Sequence, residues 1–130
     1  MPTEREIAAE KEEAKVYYDK LLSTYELLKG ENVNMPKHAE RAMKAQMSVF
    51  AGIYNRDYAL YKRGVDKYAK YGNPEKYNDM VDVAVLASDD PSLHDALSSS
   101  SNQVKTFYDR KLALYKSLHN SYRTVLAVVP

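Results

Sequence analysis

Apolar side chains recur along the chain at spacings of three and four residues, which is the period of an amphipathic α-helix. The first such segment predicts a helix over about residues 3–29, since Thr3 and Glu6 match a capping box and Gly30 follows the last turn. Its apolar stripe is Ala14, Tyr18, Leu21, Tyr25 and Leu28. No stretch alternates apolar and polar residues as a half-buried strand does, so the pattern predicts an all-α protein.

The second segment is longer and is predicted to form one continuous helix over about residues 36–71, with Pro36 at its first position. One face of this helix carries Ala39, Met43, Met47, Phe50, Tyr54, Tyr61, Val65 and Tyr68. A regular apolar stripe packs into a core more often than it binds a ligand, and we interpret this one as core. Gly72, Asn73 and Pro74 then signal a turn.

Three further helices are predicted after this turn. One covers residues 74–88, a short one begins with Asp90 as N-cap and Pro91 at the first position and ends near Leu97, and the last covers 102–128. The apolar stripe of the last helix is Val104, Phe107, Tyr108, Tyr115, Leu118, Tyr122, Val125 and Val129. Short connections favour a bundle, so we expect a four-helix-bundle-like fold with residues 1–35 as a long N-terminal helical arm and residues 36–130 as a single bundle domain.

The composition removes several classes of function. The 130 residues include no Cys, and the three His residues lack the carboxylate spacing of a helical metal site. No phosphate-binding loop, nucleophile elbow or dinucleotide fingerprint occurs, so we expect a non-enzymatic protein with no catalytic residue, metal site or cofactor. No apolar run approaches the roughly 20 residues that span a bilayer. The 12 Tyr residues suit either a core or an interface with other subunits or nucleic acid.

Charge is unevenly distributed, although the net charge is only +1. Residues 32–71 hold 8 basic and 3 acidic residues, residues 101–130 hold 5 basic and 1 acidic, and the remaining segments are acidic. On the predicted second helix, the face opposite the apolar stripe has basic ends around a small centre of Ser48, Gly52 and Asn55. A phosphate backbone could approach such a face closely and bind it without sequence readout. The candidate DNA-binding residues are Lys37, Arg41, Lys44, Ser48, Asn55, Arg56, Lys62 and Arg63.

Other interpretations of the basic face stay open at this point. It could be an ordinary solvated helix face, or a surface on which a helical protein–protein adaptor binds an acidic partner without any nucleic acid. A third interpretation, an enzyme with a metal site inside a helical bundle, would require bound metal.

The turn after the second segment carries a resemblance to a known group of proteins. The sequence YAKYGNPE at 68–75 is followed by MVDVAVLAS at 80–88 and then by Pro91. This pattern resembles the coat proteins of rod-shaped and filamentous viruses of hyperthermophilic archaea, the rudivirus and lipothrixvirus families, in which a long helix also ends in such a turn before an apolar helix and a Pro. The similarity covers roughly residues 41–91. The long last helix looks more like the filamentous group.

The resemblance implies a virion coat protein that polymerises around linear double-stranded DNA, which those families hold in the A-form. It also implies self-assembly, a paralogous second coat protein as partner in filamentous members, and a lipid envelope around them. Localisation in the virion, after assembly in the host cytoplasm, would follow. Rod-shaped members have an extended basic N-terminal arm, whereas the N-terminal segment here is slightly acidic, with 8 acidic and 5 basic residues in 1–31.

Overall fold

The computed structural model describes residues 2–71, 87 and 90–128, and after residue 114 it describes side chains only for Lys116 and Ser117. The helices are α1 (Glu4–Gly30), α2 (Lys37–Asn55), α3 (Tyr58–Tyr71), α4 (Pro91–Ser98) and α5 (Asn102–Val128). All regular structure in these residues is helical, which confirms the all-α class and the bundle-like fold. The helix predicted over 74–88 lies outside the described residues, apart from the helical Ala87.

The start of α1 follows the capping prediction, whereas its end differs. The Glu6 amide donates to the Thr3 hydroxyl at 3.1 Å, which satisfies one of the free N–H groups of the first turn. At the other end, Gly30 was expected just beyond the helix, but it is the last helical residue. Asn32, with φ 54°, takes the left-handed conformation instead, and Asn tolerates it better than most residues.

The predicted continuous helix over 36–71 is wrong, because the chain reverses direction between α2 and α3. Arg56 adopts the left-handed conformation at φ 55° and ψ 39°, and the Asp57 amide donates to the Gly52 carbonyl at 2.8 Å. The Asp57 carboxylate then accepts the Leu60 amide at 3.1 Å and so caps α3. Local capping at Arg56 and Asp57 therefore ends one helix and begins the next, and this outweighs the apolar periodicity that runs through both.

Two glycines allow α2 and α3 to pack unusually closely. A Cβ on Gly52 would lie 2.5 Å from the Tyr61 amide nitrogen, and one on Gly64 would lie 2.7 Å from the Val49 amide nitrogen. These positions show that the two helices form an antiparallel hairpin with near backbone contact. In the reversed chain, Tyr54 and Val65 are 40% and 36% exposed, so their predicted place in the core is wrong.

Three groups of buried side chains hold the helices together. Leu28 of α1 and Met43 of α2 pack with Ala87, with α4 and with the first half of α5. Further along, Ala14 and Leu21 of α1 pack on Phe50 of α2, so α1 and α2 run antiparallel. A third group joins α2 to α3 and contains Ala42, Ala45 and Tyr68.

The division into an arm over 1–35 and a bundle over 36–130 stays a prediction.

The predicted α4 and α5 boundaries agree with the structure. Asp90 accepts the Leu93 amide at 3.2 Å as the N-cap of α4, and Pro91 is its first residue. In α5, Val104 and Tyr108 are buried as the stripe predicted, and the stripe positions from Tyr115 onward lie outside the described side chains.

Candidate nucleic-acid interface

The reversal at Arg56 distributes the eight candidate DNA-binding residues over two helices and a turn. Lys37, Arg41, Lys44, Ser48 and Asn55 lie on α2, Arg56 lies in the turn, and Lys62 and Arg63 lie on α3. The prediction that they share one face of one helix is therefore wrong. Whether they bind DNA is a separate matter, which depends on the surface they actually form.

On α2 the basic half of the predicted face is intact. Lys37, Arg41 and Lys44 follow one another at spacings of four and three residues and are all exposed, so they form one row. The small centre of the predicted face serves a different purpose, because Gly52 is buried against the backbone of Tyr61. Ser48 is half-buried, and Asn55 is exposed as the last residue of α2.

The Tyr71 ring lies between a basic residue of α2 and a basic residue of α3. The Arg41 guanidinium carbon and the Lys70 ammonium nitrogen each lie 5.3 Å from the centre of the Tyr71 ring. Lys70 first, and Arg41 to a lesser extent, lower the pKa of the Tyr71 hydroxyl. The end of α3 therefore lies beside the first half of α2, and cations from both helices meet there.

Lys70 continues into a second row of cations on α3. Arg63, Lys67 and Lys70 are spaced by four and three residues and are exposed, so they share one face of this helix. We refer to the two rows together as the basic surface, which consists of Lys37, Arg41, Lys44, Arg63, Lys67 and Lys70. Lys67 and Lys70 were missed as site residues. The capping residue Asp57 was the available signal, since it marks a new helix with its own face.

Glu40 is the carboxylate of α2 that lies beside the basic surface, and it is already well bound. Its Oε1 accepts the Tyr25 hydroxyl at 2.9 Å, and it pairs with Lys29 at 3.2 Å and with Lys44 at 3.4 Å. The hydrogen bond from Tyr25, followed by that from Lys29, lowers the pKa of Glu40, and the bond to Glu40 raises the pKa of Lys44. Lys44 is therefore a partly neutralised member of the surface.

The Tyr25 ring completes this cluster. Lys29 and Lys44 each lie 5.6 Å from its centre, so one ring and one carboxylate hold two ammonium groups. Because Tyr25 and Lys29 belong to α1 whereas Glu40 and Lys44 belong to α2, the cluster also fixes the two helices against each other.

Two of the candidate residues lie away from the basic surface. Arg56 pairs with Glu10 of α1 at 3.9 Å, across the turn between α2 and α3. Lys62 precedes Arg63, and adjacent residues on a helix are about 100° apart, so it faces a different direction from the row of Arg63, Lys67 and Lys70. Both side chains are exposed.

The basic surface has the chemistry of a binding site for a polyanion. It combines six cations from two helices, whereas the same two helices contain only Glu40 and Asp66 as carboxylates. Flexible Lys and Arg side chains bind phosphate oxygens without distinguishing bases. Among the described residues, no group of three or more His, Asp or Glu side chains is placed to hold a metal ion. Nor does the described part of the chain contain a helix apolar and long enough to cross a membrane.

Comparisons with known proteins identify no relative, so a function has to be argued from the residues of the chain. The sequence matches no family model, and searches of curated proteins and of solved structures gave no match.

Proposed function

We propose that this protein is a structural coat subunit that polymerises around linear double-stranded DNA in a virion. The observation that supports the proposal best is the basic surface, in which cations from α2 and α3 meet at Tyr71. Such a surface neutralises phosphates and is indifferent to sequence, as a protein that covers a whole genome requires. The resemblance of residues 41–91 to archaeal virus coat proteins supports the same function.

The near-neutral net charge of +1 fits a polymer better than an isolated DNA-binding protein. One subunit supplies few phosphate contacts, but many subunits on one duplex act together, and their combined affinity exceeds that of any single contact. The proposed partners are double-stranded DNA, further copies of the chain and a paralogous coat protein. A lipid envelope around the filament belongs to the same proposal.

A titration of a labelled duplex at low salt tests the DNA-binding part of this proposal. Reversing Arg63 and Lys67 to Glu should weaken binding by at least about tenfold, because two phosphate contacts become repulsive. The dependence of log K on log salt should also become shallower by about 2. Both residues are exposed and have no ion pair among the described residues, so the fold should tolerate the change.

The matched control is reversal of Lys15 and Lys20 to Glu, two exposed residues on α1 that lie outside the basic surface. It alters the net charge by the same amount and should leave most of the affinity intact. Equal loss in both variants would mean that only overall charge matters, and no binding by the wild-type protein at low salt would refute the proposal.

A helical adaptor that binds an acidic protein is the second candidate, and the Glu40 cluster favours it. Lys29 and Lys44 already hold a carboxylate at 3.2 and 3.4 Å, which is the contact that an acidic partner helix would repeat. This function predicts that the variant with Lys37, Arg41 and Lys44 replaced by Glu loses a protein partner, whereas duplex DNA has no effect on the wild-type protein.

A further inference from the structure

A groove on the far side of α1 has no assigned occupant. It is an open depression of about 580 Å³ between the last turn of α1 and the first half of α5. Leu27 and Phe107 form its apolar floor, and Arg110 and Lys111 stand at its edge, with the Lys111 ammonium 5.6 Å from the centre of the Phe107 ring. Two turns beyond Phe107 on α5, Leu114 is 51% exposed and extends the apolar row. An apolar floor with a cationic edge fits an acidic amphipathic helix.

The opposite end of α1 has the complementary character. Residues 4–13 contain five Glu residues against Arg5 and Lys11, and all but Ile7 and Lys11 are exposed. Further along α1, Ala14 packs on Phe50 of α2, and Glu10 pairs with Arg56 in the turn after α2. Residues 4–13 therefore form an acidic helical segment that carries one large apolar residue, the half-buried Ile7.

We propose that residues 4–13 of one copy of this chain dock in the groove between α1 and α5 of the next copy. Ile7 would lie on Leu27 and Phe107. Glu6 and Glu13, which share one flank of the helix about 100–120° from Ile7, would pair with Arg110 and Lys111 at the edge of the groove. The charge pairing selects this arrangement over a symmetric one, since two grooves facing each other would bring four cations together.

The basic surface is a weaker match for the same segment. It is cationic, and the Tyr71 ring between its two rows already contacts Arg41 and Lys70, whereas Leu27 and Phe107 line the groove beside Arg110 and Lys111. Docking in the groove would also leave the basic surface accessible to DNA.

Because the two docking surfaces are different and lie at opposite ends of α1, the contact is head-to-tail, and each copy can bind one neighbour through each surface. Repetition of such a contact yields an open filament when the rotation from copy to copy does not close into a ring. The middle of the segment 4–13 and Leu27 are about 19 residues apart on α1, so each step would span about 28 Å along this helix at 1.5 Å per residue. This inference deepens the proposed function by supplying the contact through which copies polymerise, and it holds for the protein without DNA.

The test is a charge exchange measured by sedimentation velocity of the DNA-free protein at low salt. One variant carries Arg110→Glu and Lys111→Glu, and the other carries Glu6→Lys and Glu13→Lys. Each alone should weaken self-association by at least about tenfold, and an equimolar mixture of the two should associate again because the reversed charges now match. The Lys15→Glu and Lys20→Glu variant serves as control and should associate like the wild type, while circular dichroism checks that all variants are helical.

Three results would overturn the inference: a wild-type protein that stays monomeric, variants that associate as the wild type does, or a mixture that fails to recover association. A separate measurement, the binding of a short duplex to the wild-type protein, distinguishes failure of the proposed function from failure of the docking inference. Self-association without duplex binding would support the docking and refute the DNA coat, and duplex binding by a strictly monomeric protein would do the reverse.

Discussion

At the scale of single residues, Gly64 sets how closely α3 approaches α2. A Cβ at this position would lie 2.7 Å from the Val49 amide nitrogen and 2.9 Å from the Ala45 carbonyl oxygen. Both are backbone atoms, so the clash cannot be relieved by a side-chain rotation. The position of the basic rows on the two helices therefore depends on this one missing side chain.

We expect Gly64→Ala to lower the free energy of unfolding by about 1–3 kcal/mol, because the hairpin must open to admit the methyl group. Gly30→Ala is the matched control: Gly30 is helical, and nothing lies within 4 Å of its Cβ position. Ala is the better helix former, so the control should raise stability by about 0.5–1 kcal/mol. Urea unfolding measures both, and a destabilised Gly30→Ala or an unaffected Gly64→Ala would contradict the packing described.

Gln46 is a polar residue in a place that would suit an apolar one. It is fully buried on α2, and neither side-chain atom of its amide has a hydrogen-bond partner among the described residues. An unsatisfied buried amide costs about 1–3 kcal/mol. Replacement by Met, which has a similar shape, should therefore raise the free energy of unfolding by about 1 kcal/mol. A loss of stability in the same urea experiment would show that the amide has a role in the folded chain.

At the scale of helices, Asp90 connects α4 to α2. One carboxylate oxygen accepts the Leu93 amide as the N-cap, and the other pairs with His38 at the start of α2. Asp90→Ala removes both contacts and should cost about 1–2 kcal/mol in unfolding experiments. Asp95→Ala is the control, because Asp95 is an exposed residue of the same helix whose carboxylate has no ion pair among the described residues. Similar losses in the two variants would exclude a specific capping role.

Glu40 makes the contact between α1 and α2 sensitive to acid. Its pKa is lowered by the Tyr25 hydroxyl and by Lys29, so the folded protein favours the charged form more than the unfolded chain does. The stabilisation is complete above the ordinary glutamate pKa of about 4.3 and is lost as the pH falls through the lowered value. In urea titrations between pH 7 and pH 3, Glu40→Gln should lose less stability on acidification than the wild type. Parallel pH profiles would contradict this.

Helix boundaries could be predicted from sequence wherever a local signal and the apolar pattern agreed. Thr3 and Asp90 were found as caps, and the bounds of α5 match the prediction. The break at Arg56 was missed because Tyr61 and Tyr68 continue the apolar period of α2, so periodicity alone could not show that the chain turns back. The weaker signal was Asp57, a capping residue three positions before Leu60.

At the scale of the whole molecule, the basic character of the candidate site could be predicted from the sequence, but only some of its residues could. The excess of cations in residues 32–71 could be counted from the sequence, and four predicted residues remain in the basic surface, namely Lys37, Arg41, Lys44 and Arg63. Lys67 and Lys70 could not be assigned to it, since their place beside α2 follows from the hairpin and from Tyr71, which are tertiary features. The same reversal moved Lys62 to another face.

We propose that this chain forms a filament around double-stranded DNA, and electron microscopy of the protein mixed with a linear duplex at low salt would show such filaments. We expect filaments with density for the duplex along the axis, and DNA in them that resists nuclease digestion. These filaments should dissolve as salt is raised, because phosphate contacts weaken with ionic strength. Isolated particles beside bare, fully digestible DNA would refute the proposed assembly.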